Sequence, residues 1–210
     1  MIEMLLSGEG PSDIGEKDPQ NGTFNHGPIA VLTSRILAWN HKHDVTFHFR
    51  TRAELKSHVM TLKGKPKGQK GTAGKGHSLL AFKLAWVAKE NNCDVAVLMR
   101  DADNRDFTEV YEEIRSGFVA ARFDRGIPAV PVPKSEAWII CCVDPGESDR
   151  IERRSEDMKA LLEQKLRLHQ TPDNIESWRD IVSSCDLCAV RPPSFVRYKR
   201  DMEGAVRYLY

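Results

Sequence analysis

The chain has no apolar run long enough to cross a membrane. Its longest, Ala137 to Val143, is seven residues, against the roughly twenty that a spanning helix needs. The opening MIEMLL carries an early acid where an export signal would have bases followed by a long apolar stretch, so a cytoplasmic location is expected. Cysteine is scarce and odd in number: Cys93, Cys141, Cys142, Cys185 and Cys188 are expected to stay reduced, with no disulfide framework. Charge of one sign is missing too, since 31 Lys and Arg face 30 Asp and Glu and the net charge of +1 identifies no partner. No internal repeat and no sustained heptad is present, which excludes a solenoid and a long coiled coil. What remains is 210 residues, 40% hydrophobic and 29% charged, a globular composition that excludes a disordered tail or a fibre.

The charges are unevenly spread. Residues 1–20 hold the acids Glu3, Glu9, Asp13, Glu16 and Asp18 against the single base Lys17, while residues 56–75 hold six lysines and no acid. Acid in one place and base in another suits an anionic substrate held by cations and worked on near carboxylates.

Hydrophobic periodicity divides the chain into alternating elements. Ile2 to Ser7 reads as a strand broken by Gly8 and Gly10, Pro28 to Trp39 as a helix, and Asp44 to Phe49 (DVTFHF) as a second strand. Thr51 with Glu54 has the spacing of a capping box and opens a helix through TRAELKSHVMTLK. A basic Gly/Lys loop follows over residues 63–77, with GKPKGQKGTAGKG at its centre. His77 to Asn92 is an amphipathic helix, and Asp94 to Met99 (DVAVLM) is a strand apolar enough to be buried on both faces of a parallel sheet. Asp106 to Val119 reads as helix, Ile127 to Val132 as a fourth strand, and Ser135 to Val143 as helix. The expectation is an α/β fold with a central, mostly parallel sheet of about four strands flanked by helices, occupying residues 1–145. A helical C-terminal part, residues 146–210, is expected from Asp149 to His169, Asp173 to Ser184 and Ser194 to Tyr210, with Thr171-Pro172 as cap and first-turn proline.

In α/β sheets, ligands gather outside the carboxyl ends of the strands. Those ends carry Gly8-Glu9-Gly10-Pro11-Ser12-Asp13, Arg100-Asp101-Ala102-Asp103 and Pro133-Lys134-Ser135-Glu136, so each supplies an acid. The glycines beside Glu9 permit a sharp turn and leave the backbone bare for a phosphate or metal. Asp101 and Asp103, one residue apart, can both reach one hard cation if the turn bends inward. Carboxylates gathered without cations raise one another's proton affinity, so Mg2+ or Mn2+ is the expected compensation.

SGEGPSDIG, VAVLMRDAD and VPKSEAWII, in that order, resemble the Toprim domain, the metal-dependent module of topoisomerases, primases and overcoming-lysogenization-defect nucleases. The likeness covers roughly residues 2–143 and is strongest to small stand-alone Toprim-like proteins of bacterial defence and mobile-element operons. It implies that Glu9 is a metal ligand or general acid/base and that Asp101 and Asp103 are the D-x-D ligands. Glu136 would complete a second metal site, Asp13 would join the ligands, and Lys134 would offset charge on the scissile phosphate. Two Mg2+ or Mn2+ ions about 4 Å apart would then activate water and steady the leaving oxygen in phosphodiester hydrolysis. The resemblance further implies a nuclease subunit of an anti-phage defence system, acting on nucleic acid, DNA ahead of RNA, beside an ATPase partner; assembly into a homo-oligomer is compatible with it. The chain departs from the family pattern in EKDPQNGTFNH, which delays the first helix, and in the wide spacing from Glu54 to His77.

The lysine loop supplies Lys63, Lys65, Lys67, Lys70 and Lys75 as expected contacts to nucleic-acid phosphates. It is not a P-loop, because Gln69 stands where the first glycine of G-x-x-x-x-G-K belongs and Gly76 replaces the Ser/Thr. Cys185 and Cys188 form one C-x-x-C pair, two ligands short of a zinc site, while Cys141 and Cys142 suit packing in the apolar AWIICCV helix. Trp39, Trp86, Trp138 and Trp178 fall at helical positions and are expected in cores. Two other functions compete: a haloacid-dehalogenase-like phosphatase, weakened by Arg105 at the position of its Thr or Val, and a non-catalytic module sensing nucleic acid or nucleotide.

Overall fold

In the computed structural model, which describes residues 1–10, 13–17, 24–41, 44–58, 75–207 and 209, strand β1 (Ile2–Ser7) leads into a small antiparallel hairpin, β2 (Gly15–Lys17) and β3 (Phe24–His26). Helix α1 (Pro28–His41), β4 (Val45–Phe49), α2 (Arg52–Ser57), α3 (His77–Glu90), β5 (Val95–Met99), α4 (Phe107–Ala120), β6 (Gly126–Ala129) and α5 (Ser135–Val143) follow. Two 3₁₀ turns, Pro145–Glu147 and Ile151–Arg153, precede α6 (Met158–Leu168), α7 (Ile175–Ser184) and α8 (Pro193–Val206). The main sheet has the order β4-β1-β5-β6 and every pairing in it is parallel. The fold is therefore α/β with helices on both faces.

The two faces follow from strand alternation. Ile2, Met4, Leu6, Val95, Val97 and Met99 point into one core with α1, α5, α6, α7 and α8. Leu5, Ala96 and Leu98 point the other way, into a second core under α3 and α4. Every residue of β5 is buried, which is why its sequence shows no polar alternation. The helices after Pro145 join the first of these cores through Met158, Leu162, Trp178, Phe195, Tyr198 and Met202. Trp138 is fully buried, and its Nε1 donates to Ser194 Oγ at 2.8 Å, tying α5 to α8.

Several boundaries differ from the sequence reading for identifiable reasons. The hairpin β2/β3 is too short to show period-two patterning. It exists because Gly15 adopts φ 106, and a Cβ there would collide with the Asn25 carbonyl. The fourth strand stops at Ala129 rather than Val132, since Pro131 and Pro133 have no N–H to donate and only accept, from Ala102 N at 3.0 Å and Asp103 N at 2.8 Å. The expected helix Asp149–His169 begins only at Met158, where the Asp157 carboxylate accepts the Lys159 N–H at 3.0 Å. Thr171-Pro172 caps nothing; Asn174 caps α7 instead, accepting from Ser177 N at 2.8 Å. The capping box at Thr51 and Glu54 is formed, but α2 ends at Ser57, and residues 59–63 of the expected helix lie outside the described residues.

Candidate functional site

The strand order places the site. From β1 the chain crosses to β4 on one side and then returns to β5 on the other, so the crossovers run in opposite directions and leave a crevice between the carboxyl ends of β1 and β5. Glu9 follows β1, and Arg100, Asp101 and Asp103 follow β5. The Arg100, Ala102 and Asp103 N–H groups bond to Ala129, Pro131 and Pro133 carbonyls, which holds the D-x-D segment alongside the extension of β6. Asp103 sits at φ 51, a left-handed conformation that Asp tolerates better than most residues.

One half of the crevice is acidic. Asp13 is buried, and its Oδ2 accepts the Glu9 N–H at 3.1 Å, which closes the turn after β1. Asp101 Oδ1 accepts the Ser135 N–H at 3.0 Å, at the first turn of α5. Ser135 is thus the first helical residue and not the cap; Lys134 occupies the cap position without a side-chain bond. Burial raises the Asp13 pKa, opposed by hydrogen bonds from the Ser135 hydroxyl and the Glu9 and Gly10 backbone. Asp101 is pushed up to about 8, first by burial and then by the negative charges of Asp13, Glu136, Glu9 and Asp103. The five acids from three strand ends therefore share one electrostatic environment. They do not close on one another: among the described residues no group of three or more His, Cys, Asp or Glu forms a metal-holding set.

The other half is cationic. Arg100 is 0% exposed, and its Nη1 reaches Glu9 Oε1 at 3.3 Å while Arg52 Nη1 approaches the same oxygen at 3.9 Å. Ser7 and Arg100 continue the alternation of Leu5 and Leu98, so they face α3 and lie on the opposite side of the sheet from Asp101 and Ser135. Ser7 Oγ, His77 Nδ1, Arg100 Nε and Arg100 Nη2 are buried without a hydrogen-bond partner among the described residues. Burial lowers the pKa of His77, and of Arg100 despite the attraction of Glu9.

Of the site residues expected from sequence, Glu9, Asp13, Asp101, Asp103 and Glu136 are brought to this edge, and Lys134 is exposed beside them. Lys75 is exposed next to α3, whereas Lys63, Lys65, Lys67 and Lys70 lie outside the described residues. Arg100, His77, Arg52 and Ser7 were not expected. The only sequence signal for Arg100 was a charge at the end of an otherwise apolar strand. Among the described residues Cys185 and Cys188 belong to no set of three or more metal ligands, and Cys141 and Cys142 are buried in α5. Among the described residues, no helix is long and apolar enough to cross a membrane. Comparison with protein-family models, with curated proteins and with solved structures found no match.

Carboxylate oxygens are the donors a hard divalent cation takes, but the described residues do not gather three of them into one ligand set. Asp101 rises to about 8 chiefly because it is buried, and the neighbouring carboxylates add to that rise.

Proposed function

We propose that this chain is a Mg2+- or Mn2+-dependent nuclease of Toprim-like type, hydrolysing phosphodiester bonds of nucleic acid. The observation that supports the reading is the delivery of five carboxylates from three strand ends to a topological switch point, where burial first and the four neighbouring charges second raise the proton affinity of Asp101. When bound, the metal would supply Lewis-acid activation of water and charge stabilisation at the phosphate. The chain's own part is positional and electrostatic. Asp101, Asp13 and Glu136 hold the cation side, and Glu9, fixed between Arg100 and Arg52, faces the crevice as the acid/base group. Lys134, exposed at the same edge, offsets phosphate charge. Acid and guanidinium on opposite sides of one crevice would place a phosphodiester between them, with its oxygens toward the cations. A role beside an ATPase in anti-phage defence, with DNA ahead of RNA as substrate, belongs to the same proposal.

The deciding experiment incubates the purified chain with supercoiled plasmid, single-stranded DNA and RNA, with Mg2+ or Mn2+, beside Glu9→Ala and Asp101→Asn variants. Metal-dependent cutting lost in both variants is the expected result, and cutting that persists in both would overturn the assignment. The competing reading, a non-catalytic nucleic-acid or nucleotide sensor, is favoured by one observation, the lack of a closed three-ligand set among the described residues. It would be supported by binding without cleavage under every metal condition.

A further inference from the structure

A second cavity, of about 250 Å³, lies beside the crevice between α2 and the first turns of α3. Among the described residues its lining is Arg52, Lys56, Gly76, His77, Leu79, Leu80 and Lys83, three permanent cations and no acid around a mostly apolar floor. Lys83 Nζ donates to the Lys56 carbonyl at 2.8 Å, which holds the ammonium at the wall without neutralising it. Arg52 belongs to both places, since it lines this cavity and approaches Glu9 Oε1 at 3.9 Å. Arg100, the fully buried guanidinium on the other side of Glu9, keeps Nε and Nη2 unpartnered, and the unpartnered His77 Nδ1 belongs to a residue of the cavity wall. Unsatisfied buried donors are costly, and a guanidinium offers its free N–H pair in the geometry that matches phosphate oxygens. The first N–H of α3 is taken, since His77 N already donates to Glu113 Oε1 at 2.8 Å.

We infer that this cavity seats a phosphate group of the nucleic-acid strand, next to the phosphate presented to Glu9, with Arg52, Lys56 and Lys83 as its wall and Arg100 as the link to the cutting site. The identity of the strand as substrate rests on the nuclease reading, but occupancy of the seat is measurable without cleavage. The volume admits one phosphodiester with part of its sugar. The seat adds to the lysine loop a set of contacts fixed on two helices, which determines where along the strand the cut falls.

The test measures binding of a fluorescein-labelled single-stranded 12-mer by anisotropy in EDTA, at 50 to 200 mM salt. Lys56→Gln/Lys83→Gln removes two wall cations whose ammonium groups are at the surface. Arg122→Gln/Arg125→Gln, at the amino edge of β6, removes the same charge elsewhere. The first pair is expected to weaken binding at least fivefold and to reduce the slope of log affinity against log salt by about 0.7, the value for one lost phosphate contact on a single strand. The second pair is expected to leave both unchanged, and inorganic pyrophosphate to compete with the 12-mer on the native chain and on this second pair but not on Lys56→Gln/Lys83→Gln. Native affinity in a folded Lys56→Gln/Lys83→Gln protein would overturn the seat, and so would equal losses in the two pairs. Failure here with metal-dependent cutting intact sinks the seat alone. The expected binding pattern with no cutting under any metal sinks the nuclease reading and leaves the seat standing.

Discussion

Glu147 is the most heavily paired acid in the fold, and replacing it with Gln tests how the helical C-terminal part is held to the sheet. Its side chain is fully buried, yet its two oxygens accept from Arg150 Nε and Nη2 at 2.8 and 2.7 Å, Arg154 Nε and Nη2 at 3.1 and 2.8 Å, and Lys165 Nζ at 2.7 Å. Those contacts fold both 3₁₀ turns back onto α6. Removing one partner of a buried ion pair costs about 3–5 kcal/mol when the other charge is stranded. Here the cations are not stranded: Arg154 keeps Glu156, Lys165 keeps Asp144, and the Arg150 side chain is 60% exposed. The expected loss is therefore about 2–3 kcal/mol, which for a chain of this size lowers Tm by roughly 5–10 °C. The pH dependence is fixed in sign. Arg150, with Lys165 and Arg154, holds the Glu147 carboxyl well below its ordinary value of 4.5, so its contribution is complete above that value in the unfolded chain and is lost as pH falls beneath it. Each pH unit removes about 1.4 kcal/mol. Thermal melts followed by circular dichroism at pH 7 and pH 3.5 should show a wide gap between native and Glu147→Gln proteins that narrows at the lower pH. A Tm difference under 2 °C at pH 7, or a gap that stays constant, would refute the reasoning.

Other consequences are as direct. Gly117 of α4 lies against the Ser78 carbonyl of α3, and a Cβ there has no room, so Gly117→Ala should destabilise by about 1–3 kcal/mol in urea titrations; an unchanged midpoint would mean that the two helices separate freely. Trp138→Phe removes the donor to Ser194 Oγ and part of a fully buried ring, and about 1–3 kcal/mol should be lost, with a matching change in near-ultraviolet dichroism. Cys185 is drawn down to about 7 by the thiol of Cys142 and by Arg35, whose Nη1 lies 3.2 Å from its Sγ. The pH midpoint of its alkylation by iodoacetamide, followed by peptide mass spectrometry, should sit near neutrality and rise in Arg35→Gln; a native midpoint above 8.5 would contradict this.

The order of strands and helices was legible in the sequence because it is a local property. DVAVLM reads as a strand buried on both faces, SEAWIICCV ends as a helix where its apolar run does, and Thr51 with Glu54 marks a helix start without reference to the rest of the chain. The acids Glu9, Asp101 and Asp103 were legible for the same reason, since each ends a segment whose type was already clear. What the sequence could not carry were relations between distant residues. Arg100 and Glu9 meet across 91 positions, and only the parallel pairing of β1 with β5 makes them neighbours. The division of the crevice into a carboxylate side under α5 and a cation side under α3 depends on which way each side chain leaves its strand and on which helix covers that face. Glu147 reads as one more surface acid until the chain around it folds and removes it from water. Local periodicity decides which elements form, whereas burial and charge coupling exist only between elements, so the chemistry of this site was decided by the tertiary structure.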